Sequence, residues 1–179
     1  DTIDTATLTL NDVTVNEGAG TATLTASLDH APQSELVVTL SNGATITFGP
    51  DYVAGTAVSS TAFAITNGED VYVDGSSFTV AVASTNGGNF EQLDTSDTAT
   101  VTVTDTVDTT VITLGDVTVD EGAGTATITA TVGAEVTGTD LVIALDNGAT
   151  ITIPVGSTSG TSEPFAVQGD DVYKDGESY

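Results

Sequence analysis

The 179-residue sequence predicts an all-β protein: tandem Ig-like, cadherin-like antiparallel β-sandwiches joined end to end by short acidic linkers. Three observations point there. Apolar residues alternate with period two in short runs, and no stretch carries a helical period. Turn-forming Asn-Gly, Asp-Gly and Glu-Gly pairs separate the runs. The chain also repeats itself, since one constant offset carries Asp1 onto Asp105, Asp4 onto Asp108 and Glu17 onto Glu121.

The repeat sets the expected boundaries. Residues 1–5 form an acidic linker, 6–104 a first sandwich, 105–109 an interdomain linker and 110–179 a second sandwich. Tyr179 matches Phe78, so the second sandwich is expected to be incomplete, with its last strands missing. Units of this size are each long enough to bury one modest core.

The elements follow in order. Leu8 and Leu10 share one face of the first strand and Val13 and Val15 the other parity, so the strand must break at Asn11-Asp12. Leu114 and Val117 flank Gly115-Asp116 in the same way. Such a break lets a strand pair first with one sheet and then with the other, a habit of Ig-like sandwiches. After the turn Asn16-Glu17-Gly18-Ala19-Gly20, Ala22, Leu24, Ala26 and Leu28 alternate with Thr and Ser, which predicts a half-buried strand.

A loop through Asp29-His30-Ala31-Pro32 leads to a strand over Leu36 to Leu40. Asn42-Gly43 then turns it into Ala44 to Phe48, a strong hairpin signal. A strand is expected near Ala57 to Ile65, a long acidic turn from Asn67 to Gly75 and a strand through Phe78, Val80 and Val82. A glycine-containing loop over Asn86 to Asp97 precedes a last strand through Ala99, Val101 and Val103. In the second copy, Asp146 to Ile153 repeats Ser41 to Phe48, and Asp171 to Gly176 repeats Asp70 to Gly75. The offset slips only in loops, where length changes cost little.

Composition narrows the function classes. There are 26 acidic residues against one lysine, Lys174, for a formal net charge of −25. Such a chain is repelled by nucleic acid and by anionic membrane surfaces, so neither nucleic-acid binding nor direct membrane insertion is expected. Disorder, the ordinary reading of an acidic chain, fails against 39% hydrophobic residues in clean alternation. With no cysteine, neither disulfides nor thiolate metal sites hold the fold. No apolar run approaches the roughly 20 residues of a membrane span.

If successive strands run antiparallel, the turn at Glu17, the acidic turn with Asp70 and Asp74 and the exit of the last strand at Asp105 converge on one pole. Carboxylates brought that close repel one another unless a hard cation joins them. Ca²⁺ suits such a set, taking about 6–8 oxygen ligands in flexible geometry. The expected first site is Glu17, Asp70, Asp74, Asp105 and Asp108. The second copy repeats Glu121, Asp171 and Asp175, with Asp170 beside them. Each acid alone is an ordinary turn former, and it is the repetition with residue types kept that marks the set.

Other chemistries lack support. The single histidine, His30, lies in a turn-rich loop with no nucleophile pattern around it. A glycosidase pair of carboxylates needs a cleft with aromatic platforms, and the chain has no tryptophan and 5% aromatics. The Thr-x-Thr runs are the wet face of single strands, not the stacked coils of an ice-binding solenoid. No enzyme is expected.

Ser41-Asn42-Gly43-Ala44-Thr45-Ile46-Thr47, Asp70-Val71-Tyr72-Val73-Asp74, Gly87-Gly88-Asn89-Phe90-Glu91-Gln92-Leu93 and Val103 through Thr110 together resemble the tandem repeats of LapA-like giant RTX adhesins. The resemblance covers essentially the whole chain. It implies secretion by a type I system to the bacterial cell surface, with outer-membrane association through other regions, and a role in cell adhesion and biofilm formation. It further implies a calcium-rigidified extender whose partners are the neighbouring repeats of the same chain, any surface or glycan target being met by other domains. The alternative is a module whose loops bind a glycan or protein directly. The glycine-rich nonapeptide repeats of an RTX tail are absent from these residues.

Overall fold

The computed structural model describes residues 2–174, 176 and 178, without the side chain of Glu121. The chain divides into two units, Asp1–Asp108 and Thr109–Tyr179. Both are built of β-strands, with one short 3₁₀ turn apiece among the described residues. No helix among those residues is long and apolar enough to cross a membrane.

Unit 1 opens with β1 (Thr5–Asn11) and β2 (Val13–Asn16), followed by the 3₁₀ turn Glu17–Ala19. Next come β3 (Thr21–Ala22), β4 (Thr25–Leu28), β5 (Leu36–Leu40), β6 (Thr45–Phe48), β7 (Val58–Ser59) and β8 (Phe63–Ala64). It closes with β9 (Ser76–Gly87), β10 (Gln92–Asp94) and β11 (Thr98–Thr104). One sheet has the order β10-β1-β4-β7 and the other β2-β11-β9-β5-β6, with β3 and β8 as a separate pair. Leu8, Leu24, Leu28, Leu36, Val38, Ile46, Phe48, Val80 and Val101 fill the core, each essentially inaccessible to water.

The parity flip at Asn11-Asp12 is where the chain changes sheet. β1 pairs antiparallel with β4, and β2 pairs with β11. Two carboxylates hold the break. Asp97 accepts the Leu10 N–H at 2.9 Å and the Thr98 N–H at 2.9 Å, and Asp12 accepts the Thr100 N–H at 2.7 Å. Donors that the interrupted ladder would leave bare are thereby satisfied.

Four expectations are corrected. The strand near 57–65 is two, β7 and β8, in different sheets. The sandwich is not wholly antiparallel, because β2 runs parallel to β11 and β1 parallel to β10. The run from Thr21 to Leu28 is not one strand. It is interrupted at Thr23-Leu24, where the buried Ser60 hydroxyl accepts the Leu24 N–H at 3.0 Å and the Ser60 N–H returns to the Leu24 carbonyl at 2.7 Å. Nor is 86–97 a loop throughout, since β9 reaches Gly87 and Gln92–Asp94 forms β10. Strand β9 also carries a bulge, Thr39 and Leu40 facing Ser84 and Val82.

The hairpin at Asn42-Gly43 is a three-residue turn. Leu40 N–H donates to the Ala44 carbonyl, the Asn42 side chain accepts the Ala44 N–H, and Gly43 sits at φ 86°. Leu145, Asn147, Gly148 and Ala149 repeat every part of it.

Unit 2 comprises β12 (Ile112–Leu114), β13 (Thr125–Ala126), β14 (Thr129–Val132), β15 (Leu141–Ala144), β16 (Thr150–Ile153), β17 (Ser159–Thr161) and β18 (Phe165–Ala166), with a 3₁₀ turn over Glu121–Ala123. The pairs β12-β14-β17, β13-β18 and β15-β16 match β1-β4-β7, β3-β8 and β5-β6. Ala130, Val132, Ile151 and Ile153 form its core. Among the described residues no strand takes the place of β11, so Val117 and Val119, the counterparts of Val13 and Val15, make no ladder and stay 45% and 40% exposed.

Two glycines separate strain from collision. At Gly43 a Cβ would meet open space, so Gly43→Ala costs only the left-handed strain, roughly 1–2 kcal/mol. At Gly87, φ 89°, a Cβ would also run into the Glu35 carbonyl oxygen. Equilibrium urea unfolding is expected to show Gly87→Ala as clearly the more destabilising of the two.

Candidate metal centre

Strand register builds the site. Thr104 faces Asn16 across the parallel β2–β11 pair, and Val103 faces Ser76 across β11–β9. The residues just beyond these ladder ends are therefore neighbours: Glu17 follows β2, Asp105 follows β11 and Asp74 precedes β9. Oxygens from these three carboxylates lie within 4.8 Å of one another. Asp74 N–H donates to Asp105 Oδ1 at 3.2 Å, and Gly75 passes so close to Val103 and Asp105 that a Cβ there would be 3.3 Å from the Val103 carbonyl oxygen.

Glu17 is the centre of the group. It opens the 3₁₀ turn capped by Asn16, whose Oδ1 accepts the Gly18 N–H at 2.9 Å, and the residue is 1% exposed. Oε1 accepts the Thr106 N–H at 3.0 Å. Oε2 is buried with no hydrogen-bond partner. A buried, unmatched carboxylate oxygen is costly to the fold unless something positive meets it.

The electrostatics agree. The Thr106 N–H is the strongest single influence on Glu17 and favours its charged form. Desolvation and the adjoining Asp74 and Asp105 carboxylates together outweigh it and raise the Glu17 pKa above its ordinary value.

The remaining expected residues fall elsewhere. Asp70 turns its Oδ1 to the Tyr72 N–H at 2.7 Å, closing its own turn, and is not in the gathered group. Asp108 is exposed and likewise outside the group. Asp171 repeats Asp70, accepting the Tyr173 N–H at 2.7 Å. The Glu121 side chain and Asp175 lie outside what the structure describes, so the second copy of the group is not seen.

Sequence reasoning passed over Asn67 and Glu69. The Asn67 amide donates to the Asp74 carbonyl at 2.6 Å and accepts from the Ser76 hydroxyl at 2.9 Å, closing the neck of the 67–76 loop. Glu69 accepts from the Thr106 hydroxyl at 3.3 Å, and that hydroxyl also receives the Asn16 amide at 2.8 Å. The signal for Glu69 was present in the repeat, because Asp170 keeps an acid at the matching position.

Three acids from three segments, one of them with an unmatched buried oxygen, could hold a hard cation. Calcium bonds oxygens at about 2.3–2.6 Å, so two of its ligands can stand up to about 5 Å apart, which the 4.8 Å spread satisfies.

Comparison with known proteins gives one family match, to the LapA domain, over residues 4–106 and again over 108–179. No curated protein matches. Among solved structures, similarity is found to CBD12 of CALX1.2, with 11% identity, 93% of this chain and 77% of that one covered, and a TM-score of 0.41. The calcium binding domain CBD12 of CALX1.1 gives 13%, 89%, 74% and 0.40 for the same measures. A protein of unknown function from Porphyromonas gingivalis W83 gives 10%, 90%, 83% and 0.23.

A carboxyl whose folded pKa is raised contributes stability that is present at low pH and lost as pH rises through the raised value. In chelator, Glu17→Gln is therefore expected to melt higher than the parent at neutral pH, with the gap closing as pH falls toward the ordinary glutamate value of 4.5. Calorimetry of the two proteins across that range checks it.

Proposed function

We propose, on the premise that this chain belongs to the adhesin-related LapA domain family, that it is a calcium-stabilised extender: a non-catalytic, repeated sandwich that gives a secreted surface adhesin its reach. The observation that carries the calcium reading is Glu17 Oε2, buried and unpartnered on a carboxylate that is gathered with those of Asp74 and Asp105. Glu17, Asp74 and Asp105 hold the ion. Their mutual repulsion, which otherwise loosens the pole where the linker leaves the sandwich, then becomes attraction to a shared charge.

The position of the site gives the role its content. Asp105 is the first residue after β11, and Thr106, whose N–H binds Glu17, is the second. An ion there ties the start of the linker to the turn after β2 and so restricts the direction in which the chain departs. Extracellular modules bind calcium at roughly 10⁻⁴–10⁻³ M, which keeps such a site filled outside a cell and empty inside. The chain then stays loosely folded before export and stiffens afterwards, and on this reading adhesion and biofilm formation follow from projecting a distant binding domain.

Metal that binds only the folded state stabilises it by about 2.7 kcal/mol at a hundredfold excess over Kd. Melting temperature is therefore expected to rise with calcium and fall back with chelator. An unchanged value removes the proposal. X-ray scattering of the full chain is expected to report a stiffer particle with calcium than without.

A further inference from the structure

We propose that Glu69 is a further ligand of this metal centre, so that the 67–76 loop grips the cation through Glu69 and Asp74 while Asp70 serves only to shape the loop. This rests on the calcium reading above and specifies which acids carry it.

Two adjacent acids begin the loop, and the fold gives them opposite tasks. Asp70 is turned away to cap the Tyr72 N–H at 2.7 Å. Glu69, also outside the gathered three, rests its carboxylate against the turn that carries the buried glutamate. Its Oε2 is 3.3 Å from the Thr106 hydroxyl, on the residue whose N–H binds Glu17 Oε1. The same oxygen occupies the space over Gly18, where a Cβ would come within 2.5 Å of it. Gly18 follows Glu17 directly, so the missing side chain is what admits a second carboxylate against the Glu17 turn.

The second unit keeps both halves of this arrangement. Asp170 lies over Gly122, its Cβ and Cγ 3.6 and 3.9 Å from where a Cβ on that glycine would be. Asp171 caps the Tyr173 N–H as Asp70 caps Tyr72. In both copies the first acid leans onto the Glu-Gly-Ala turn and the second is spent on the backbone.

The independent sign that a ligand belongs here is the unpartnered Oε2 of Glu17, 1% exposed at the residue level, on a carboxylate gathered with those of Asp74 and Asp105. With Glu69 added, the set is four carboxylates, Glu17, Glu69, Asp74 and Asp105, and the chain's single lysine is in the other unit. Calcium takes about 6–8 oxygens, and its affinity is tuned by how many charged ligands surround it.

The test is a calcium titration of the full chain followed by NMR at the Thr106 and Gly18 amides, which report unit 1 alone, for the parent, Glu69→Gln and Asp70→Asn. Melting in chelator confirms that each variant is folded. Glu69→Gln is expected to weaken binding about tenfold and Asp70→Asn less than about twofold. Gly18→Ala, which displaces the Glu69 carboxylate, is expected to resemble Glu69→Gln. Parent-like binding by Glu69→Gln, or a larger loss in Asp70→Asn, overturns the assignment while leaving the calcium reading intact. No calcium response in the parent overturns both.

Discussion

The parallel pairing of β2 with β11 is the constraint on which the rest of unit 1 depends. It exists because the first strand changes sheet at Asn11-Asp12, a change forced by the switch in apolar parity between Leu10 and Val13. Running side by side in the same direction, β2 and β11 end together, and whatever follows each must share one small volume. Glu17 follows one and Asp105 the other. The antiparallel β9 begins at the same level and adds Asp74. Proximity of the acids is thus a property of the sheet rather than of the acids, which oppose it.

That opposition explains the division of labour among the carboxylates. Asp12 and Asp97 are matched to backbone donors at the strand break, and Asp70 to its own turn. Asp94, bonded to the Ser96 hydroxyl and N–H, has its pKa lowered, as expected of an acid whose charge the fold accommodates. Glu17 shifts the other way. Within unit 1 several carboxylates serve as turn and ladder fittings, whereas Glu17 is buried beside two like charges.

Much of this was legible in the residues. Parity gave the strand break and Asn42-Gly43 the hairpin, whereas the gathering of Glu17, Asp74 and Asp105 comes from the parallel β2–β11 pair, which the expected antiparallel succession does not contain. What was not legible depended on tertiary partners. Gln92–Asp94 has no alternation to announce β10 and becomes a strand only because β1 offers it an edge. The interruption at Thr23-Leu24 reflects the Ser60 hydroxyl, which periodicity does not see. Asp70 and Glu69 are a further case, since Asp70 closes its own turn and Glu69 lies against Gly18. Adjacent acids in a loop look alike until the backbone shows which is consumed by its own turn and which rests against the turn that carries Glu17.

The edges of the two sheets carry a last consequence. In unit 1 the outermost strands are β10 and β7 in one sheet and β2 and β6 in the other, none longer than four residues. Repeated sandwiches strung on one polypeptide are a hard case for correct folding, because a strand from one copy can compete for a place in its sibling. Truncated borders offer little template for such trespass. The fold thus carries, in its shortest strands, a safeguard against the entanglement that repetition invites.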